Sequence, residues 1–175
     1  MEDNRLNRPA GKRVLGKLLG AQEVAIIPPD EEVLAHADGM VMWLDTNTLL
    51  VNDYTAANDK YHQSVLSELK EFFPSVKIVT TPMRYRPNPP GVWKGFNSAC
   101  GVHVNSAVTF KNIYVPVFNM PHDNAALSII RQNTAKNVFP INAEDVCPMG
   151  GGVRCLTWQL TGENAEKLIL AARKD

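Results

Sequence analysis

The stretch Met40-Val-Met-Trp-Leu-Asp-Thr-Asn-Thr-Leu-Leu-Val51 predicts a β-hairpin, because two apolar runs flank the polar segment Asp45–Thr48. Residues 58–73 follow with the apolar period of an amphipathic helix, and Pro74 ends it. A short apolar run over residues 76–79 predicts the next strand. Residues 40–79 therefore predict a unit of hairpin, helix and strand.

The same order of elements recurs over residues 102–141. A hairpin is predicted from residues 102–108 and 113–117, followed by a helix over 122–135 and a strand that begins at Val138. The two units are alike in pattern and only weakly alike in sequence. We therefore expect an α/β (α+β) fold of stacked ββαβ modules, rather than a doubly wound parallel sheet, in a single domain of 175 residues.

Further elements flank the two units. The sequence predicts helices over residues 9–19 and 162–173 and strands over residues 24–27 and 153–160. Residues 82–98 carry many prolines together with Tyr85, Trp93 and Phe96. A long irregular segment rich in aromatic residues is typical of an ordered loop near a functional site.

The composition excludes several classes of protein. Eighteen basic residues balance eighteen acidic ones, so no nucleic-acid partner is expected. No apolar run approaches the roughly 20 residues of a membrane span, so no membrane partner is expected either. Three cysteines do not suggest a disulfide framework, which makes a reducing, cytoplasmic setting the default expectation. The cysteine and histidine spacing predicts no metal site.

Cys155 is the strongest candidate for a reactive residue. It follows Gly150-Gly151-Gly152 at the start of a β-prone run, and glycines there indicate close approach of the backbone to a ligand. A buried core cysteine is the alternative, but Cys100 and Cys147 fit that description better.

Polar residues elsewhere are weaker candidates. His36 and Asp38 share a face if their segment is extended, although a polar loop explains them equally well. His103 and Asn105 alternate with apolar residues along a predicted strand, so Asn105 either points into the cleft with Cys155 or is a satisfied amide at a strand edge. His62 and His122 are expected at the surface.

Five segments together resemble the second half of the agmatine deiminase and bacterial peptidylarginine deiminase family, within the guanidino-group-modifying (pentein) superfamily. In chain order they are His36-Ala-Asp-Gly39, Val41–Asp53, Gly101-Val-His-Val-Asn105, Ile113-Tyr-Val-Pro116 with Asp123-Asn-Ala-Ala-Leu127, and Gly150-Gly-Gly-Val-Arg-Cys155. The resemblance covers about residues 4–160 and implies a propeller of ββαβ modules around a central cleft.

The resemblance also implies roles for individual residues. Cys155 matches the nucleophile, His36 the general acid and base, and Asp38 a carboxylate that binds the guanidinium group. Asn105 matches a residue beside the substrate, and Gly151 and Gly152 are expected to bring the backbone close to it. The implied reaction releases ammonia from agmatine or from free or peptidyl arginine, through a covalent cysteine intermediate and without a metal or organic cofactor.

The resemblance extends to only half of such an enzyme. Family members are about twice as long, and the first half supplies a Trp-x-Arg-Asp-like motif and a Glu-Gly-Gly-like segment that this sequence lacks. We therefore expect a C-terminal half, natural or a fragment, that associates with a missing N-terminal half or forms a homo-oligomer. An amidinotransferase and a non-catalytic binding or structural half-protein remain alternatives. A papain-like thiol protease is not expected, because no matching cysteine neighbourhood lies near the N-terminus.

Overall fold

The structure is a computed structural model that describes residues 7–29, 36–92, 97–160 and 162–173. Its helices are α1 (Arg8–Leu19), α2 (Thr55–Phe72), α3 (Asp123–Gln132) and α4 (Gly162–Ala172). Its strands are β1 (Val41–Trp43), β2 (Thr48–Asp53), β3 (Lys77–Pro82), β4 (Ala107–Val108), β5 (Asn112–Val117) and β6 (Asn137–Asn142). Short 3-10 turns span Ala37–Gly39 and Cys147–Met149.

Each of the two predicted units forms a three-stranded sheet with one crossover helix. In the first sheet, β1 and β2 are antiparallel and β2 and β3 are parallel, so Leu50 lies opposite both Met42 and Val79. The second sheet repeats this arrangement with β4, β5 and β6. Parallel neighbours need a long connection, which α2 and α3 provide. The predicted ββαβ modules are confirmed.

Strand β2 is buried on both faces, and this joins the two modules. Leu50 faces a core that it shares with Ile113 and Val115 of β5 and with Ile130 of α3. On the opposite face, a second cluster forms from Leu49, Val51, Val65 and Leu69. Alternate residues of a strand point to opposite faces, so the apolar run at 49–51 supplies both cores.

The flanking helices lie where the sequence predicts them. Helix α1 begins after Asn7, whose side chain accepts a hydrogen bond from the Ala10 amide at 3.0 Å. It ends at Gly20, which has a positive φ of 63°. Helix α4 has no buried residue. None of the helices in the described ranges is long and apolar enough to cross a membrane.

The strand predicted over residues 24–27 is wrong. The segment is irregular, and Glu68 of α2 holds it by accepting a hydrogen bond from the Ile26 amide at 3.0 Å. The same carboxylate pairs with Lys12 at 3.0 Å and with Arg8 at 3.3 Å. Because Glu68 binds an amide that a neighbouring strand would use, the segment packs beside α2 instead of joining the first sheet.

The strand predicted over residues 102–108 is mostly wrong as well. Only Ala107 and Val108 form β4, and residues 102–106 make tight buried turns. Local hydrogen bonds close these turns, from the Asn105 amide to the Val102 carbonyl and from the Ser106 amide to the Val104 carbonyl. The backbone groups are therefore not available to a ladder, although the alternating sequence fits a strand.

His62 is buried, not exposed as predicted. Its exposed fraction is 5%, and its Nδ1 lies 3.4 Å from the Tyr54 amide before α2. His122 is half-buried immediately before α3. The spacing of apolar residues does not indicate whether a histidine is buried. His62 is buried where its ring contacts the Tyr54 backbone amide.

A disulfide joins Cys100 to Cys147 across 47 residues, which corrects the expectation that the cysteines form no disulfide framework. Both residues are buried, together with Phe118 and Ala143. Only Cys155 is free. The sparse cysteine count therefore no longer favours a reducing compartment.

We expect the double substitution Cys100→Ser/Cys147→Ser to lower the free energy of unfolding by about 2–4 kcal/mol, because it removes a cross-link that restricts the unfolded chain. Urea denaturation with and without a dithiol reductant measures the effect. The matched control is Cys155→Ser, which should unfold like the wild type and lose the same stability when reduced. Identical midpoints for the double variant and the oxidised wild type would contradict a stabilising cross-link.

Candidate active site

The side chain of Asn105 connects the three segments that carry the predicted site residues. Its Oδ1 accepts hydrogen bonds from the amides of Gly152 at 2.9 Å and Cys155 at 3.4 Å. Its Nδ2 donates to Asp38, to Oδ2 at 3.0 Å and to the backbone carbonyl at 3.2 Å. Asn105 is buried, with 3% of its surface exposed. It is therefore not an amide at a strand edge.

A glycine places the segment of Asn105. Gly101 has a φ of 101°, and a Cβ atom on it would lie 1.9 Å from the Arg84 carbonyl oxygen. No side chain fits there, so the chain passes directly beside the loop that follows β3. The turns over residues 102–106 follow directly and bring Asn105 against the glycine-rich segment at residues 150–152.

The structure corrects the predicted strand over residues 153–160. Residues 153–156 form a turn, in which the Leu156 amide donates to the Val153 carbonyl and the Thr157 amide to the Arg154 carbonyl. The Arg154 amide donates to the Asn105 backbone carbonyl at 3.0 Å. Because Asn105 binds the amides of this segment, they cannot pair with another strand.

This turn leaves Cys155 exposed and beside a carboxylate. The Cys155 Sγ lies 3.7 Å from Oδ2 of Asp38. The same carboxylate oxygen accepts the hydrogen bond from Asn105 Nδ2. The thiol and the carboxylate are thus held on one side of a buried amide, although more than 100 residues separate them in the sequence.

His36 and Asp38 do not lie on an extended segment, and that part of the prediction is wrong. Residues Ala37–Gly39 form a 3-10 turn, in which the Gly39 amide donates to the His36 carbonyl at 2.9 Å. Asn52 of β2 anchors the turn by donating to the Gly39 carbonyl at 2.7 Å. His36 is exposed at the start of the turn, two residues from the carboxylate that contacts Cys155.

The glycines before Cys155 have a packing role that the sequence does not reveal. A Cβ atom on Gly152 would lie 2.9 Å from Asn105 Oδ1. A Cβ atom on Gly151 would lie 3.0 Å from the Cys155 Cβ and 3.5 Å from its Sγ. Gly152 therefore permits the hydrogen bond to Asn105, and Gly151 keeps one side of the thiol clear.

The loop after β3 contacts the segment before these glycines. Asn88 donates from Nδ2 to the Pro148 carbonyl at 2.7 Å, and the Arg86 amide donates to the Cys100 carbonyl at 3.2 Å. Two of the predicted aromatic residues, Trp93 and Phe96, lie outside the described residues. Within the described part of the chain, no group of three or more acidic, histidine or cysteine side chains is placed to hold a metal ion.

Comparison with known protein families shows the family to which this chain belongs. The sequence profile of the Porphyromonas-type peptidyl-arginine deiminases matches residues 2–160. The chain belongs to this family. None of the curated proteins shows significant sequence similarity to it.

Solved structures share the deiminase fold at low sequence identity. A protein described provisionally as a peptidyl-arginine deiminase matches with a TM-score of 0.70 and 22% identity over 91% of this chain and 50% of its own. The agmatine deiminase of Enterococcus faecalis matches with a TM-score of 0.73 and 17% identity, over 89% and 49%. An amidinotransferase of Microseira wollei from saxitoxin biosynthesis matches with a TM-score of 0.61 and 16% identity, over 90% and 40%. The chain thus spans about half the length of the deiminase structures.

We expect Gly152→Ala to lower the free energy of unfolding by about 1–3 kcal/mol, because the new methyl group displaces the Asn105 amide from its buried hydrogen bonds. The matched control is Gly39→Ala, since a Cβ atom there meets nothing within 4 Å. Urea denaturation of the two variants gives the difference. Equal midpoints would show that the contact between Gly152 and Asn105 is not tight.

Proposed function

We propose that this chain contributes the nucleophile and the acid/base of a guanidine deiminase. Its substrates are agmatine or free or peptidyl arginine, and its products are ammonia and a ureido compound. The observation that carries the proposal is the contact of 3.7 Å between the Cys155 thiol and the Asp38 carboxylate above the buried Asn105 amide. Membership of the Porphyromonas-type deiminase family supports it.

The spacing of these groups suits a guanidinium ion. An N–H group of the substrate bound to Asp38 Oδ2 would hold the guanidinium carbon roughly 4 Å from that oxygen, from an N···O distance of about 2.9 Å and a C–N bond of about 1.33 Å. The Cys155 Sγ lies 3.7 Å from the same oxygen. For a substrate bound on the Cys155 side of that oxygen, the carbon and the sulfur are neighbours, which is the arrangement that attack requires.

The proposed reaction has two halves. First, the Cys155 thiolate adds to the guanidinium carbon, protonated His36 donates a proton to the departing nitrogen, and ammonia leaves behind an amidino thioether. Second, neutral His36 removes a proton from a water molecule, the hydroxide adds to the same carbon, and the carbon–sulfur bond breaks as the added hydroxyl group releases its proton to the solvent. The thiolate is regenerated and the substrate leaves with a ureido group.

Asn105, Gly151 and Gly152 have supporting roles in this proposal. Asn105 Nδ2 donates to Oδ2 of Asp38, so a substrate N–H approaches a carboxylate oxygen whose position is already fixed. Gly152 lets the nucleophile turn bind Asn105, and Gly151 leaves space beside the Cys155 Sγ. These residues hold the reacting groups close to the geometry that the reaction needs.

Amidino transfer is the second candidate. The amidino thioether is common to both reactions, and Cys155 is exposed enough for an amine to replace water in the second half. The amidinotransferase of Microseira wollei shares the fold, which motivates this alternative. Incubation with agmatine or arginine and a primary amine separates the two, because hydrolysis gives a ureido product and transfer gives a new guanidine. A half-protein without catalysis would give neither product.

We expect chloroacetamidine to alkylate Cys155 faster than neutral chloroacetamide does, because the Asp38 carboxylate binds the amidinium group. Asp38→Asn should reduce this preference about tenfold to a hundredfold, since one charge-assisted hydrogen bond contributes roughly 1.5–3 kcal/mol. The exposed carboxylate of Asp59 in α2 provides the control variant, Asp59→Asn. Peptide mass mapping measures the rates. An unchanged preference in Asp38→Asn would remove the carboxylate from the proposed site.

We also propose that the chain associates, with a second copy or with a protein that supplies the other half of the fold. Several large apolar side chains are exposed, including Leu18 (75%), Phe110 (93%) and Trp158 (80%). Strands β3 and β6 are edges of their sheets in the described part of the chain. Exposed apolar surface and open edges both favour association.

Light scattering and an ammonia-release assay test this association together. The chain alone should form oligomers and turn over agmatine and arginine derivatives poorly, because the resemblance assigns a further guanidinium-binding acid to the other half of the fold. Cys155→Ser is the control for background ammonia. A monodisperse monomer with efficient turnover would overturn this proposal.

A further inference from the structure

His103 and Asp123 form a buried pair that the proposed reaction does not use. The ring Nε2 of His103 lies 2.9 Å from Oδ1 of Asp123, and only 1% of the histidine surface is exposed. The other oxygen of Asp123 accepts hydrogen bonds from the amides of Phe118 and Met120, both at 2.9 Å. The pair therefore links the segment before Asn105 to the loop between β5 and α3.

The protonation of the pair follows from its surroundings. Burial lowers the pKa of His103, against the opposing effect of the Asp123 carboxylate. Burial opposes ionisation of Asp123, but the hydrogen bonds from Met120, His103 and Phe118 hold the pKa of its carboxyl below the ordinary value. The pKa values of His103 and Asp123 are both lowered. A neutral imidazole that donates from Nε2 to an ionised carboxylate is consistent with both shifts.

Burying these polar groups costs more free energy of hydration than an apolar structural contact would. The Nδ1 of His103 is buried and makes no hydrogen bond of good geometry among the described residues, although the Pro82 backbone interacts with the ring. A buried carboxylate and a buried imidazole both lose hydration, whereas a well-packed apolar pair would lose none. A role in positioning explains why polar groups occupy this part of the core.

The pair lies two residues from the amide that organises the candidate site. The His103 carbonyl accepts a hydrogen bond from the Ser106 hydroxyl at 2.7 Å, which closes a turn around Asn105. The His103 ring also packs edge-on against Phe118, with ring centroids 5.3 Å apart. His103 therefore contacts Phe118 through its ring and the turn that contains Asn105 through its backbone.

We propose that His103 and Asp123 act as positioning residues that set the Asn105 side chain, and through it the relative placement of Cys155 and Asp38. The hydrogen bond between them holds the 102–106 turns against the start of α3, so that Asn105 Oδ1 meets the Gly152 amide. The expected effect of the pair on Cys155 reactivity rests on the proposed deiminase function. Its expected effect on the position of Asn105 does not.

The test compares two substitutions of the histidine. In His103→Gln, the amide nitrogen takes the place of Nε2 and still donates to Asp123. In His103→Leu, a side chain of similar bulk cannot donate. Val65→Ala is the control for general destabilisation, because Val65 is fully buried in the separate cluster between β2 and α2.

Two measurements are made on the folded proteins, hydrogen exchange of the Gly152 amide and the chloroacetamidine preference of Cys155. We expect His103→Leu to accelerate exchange at Gly152 and to reduce the preference, each about tenfold, since misplacement by about 1 Å has effects of this size or larger. His103→Gln should restore both to within about threefold of the wild type. Val65→Ala should change neither, even if it unfolds at lower urea.

The outcomes separate the two proposals. Unchanged Gly152 exchange in His103→Leu overturns the positioning role, and so does faster exchange with an unchanged preference, because the pair would then support the turn without setting the site. If the wild type shows no preference for chloroacetamidine, the proposed function fails, and Gly152 exchange alone decides the positioning role. Equal effects in His103→Gln and His103→Leu would show that the hydrogen bond to Asp123 is irrelevant.

Discussion

The hydrogen bonds of one buried amide determine how the candidate site is assembled. Asn105 contributes two acceptor and two donor positions, and these serve the turn before β1 and the turn that carries Cys155. An apolar residue in its place would leave buried amides unsatisfied, at about 1–3 kcal/mol each. The constraint is geometric as well as energetic, because an amide fixes the direction of each bond that it makes.

The two modules support this amide from different sides. Asp38 enters from the first module, through a turn that Asn52 of β2 holds. Asn105 lies just before β4 and Cys155 follows the second sheet, and the disulfide joins the segment before Asn105 to the segment before Cys155. The shared apolar core between β2 and β5 keeps the modules together. The site therefore depends on contacts that form only when both modules are folded.

The sequence predicts the two modules well because their elements follow simple apolar periods. The hairpin at 40–51 and helix α2 bury regular apolar positions, and these are the signals that a single sequence contains. The misplaced strands have another cause. Residues 102–106 and 153–160 have β-prone compositions, but local turns and the Asn105 side chain bind their amides. Hydrogen bonds between distant segments do not produce a periodic pattern in the sequence.

For the candidate site, the sequence predicts which residues take part but not how they are arranged. Cys155, Asp38 and Asn105 are predicted from their types and from the family resemblance, and the structure brings these three together. The disulfide is missed because two cysteines 47 residues apart have no diagnostic spacing. His103 and Asp123 lie in two separate segments of the family resemblance, and their contact depends on turns that no pattern predicts.

The charges around Cys155 connect this geometry to the proposed chemistry. The Cys155 Sγ lies 3.7 Å from the Asp38 carboxylate, so a cation that binds this carboxylate also lies beside the sulfur. In the proposed reaction that cation is the guanidinium group, whose positive charge attracts the attacking thiolate. A neutral ligand of the same shape would form a weaker hydrogen bond with the carboxylate. In this proposal Asp38 therefore selects a positively charged substrate and places it beside the nucleophile.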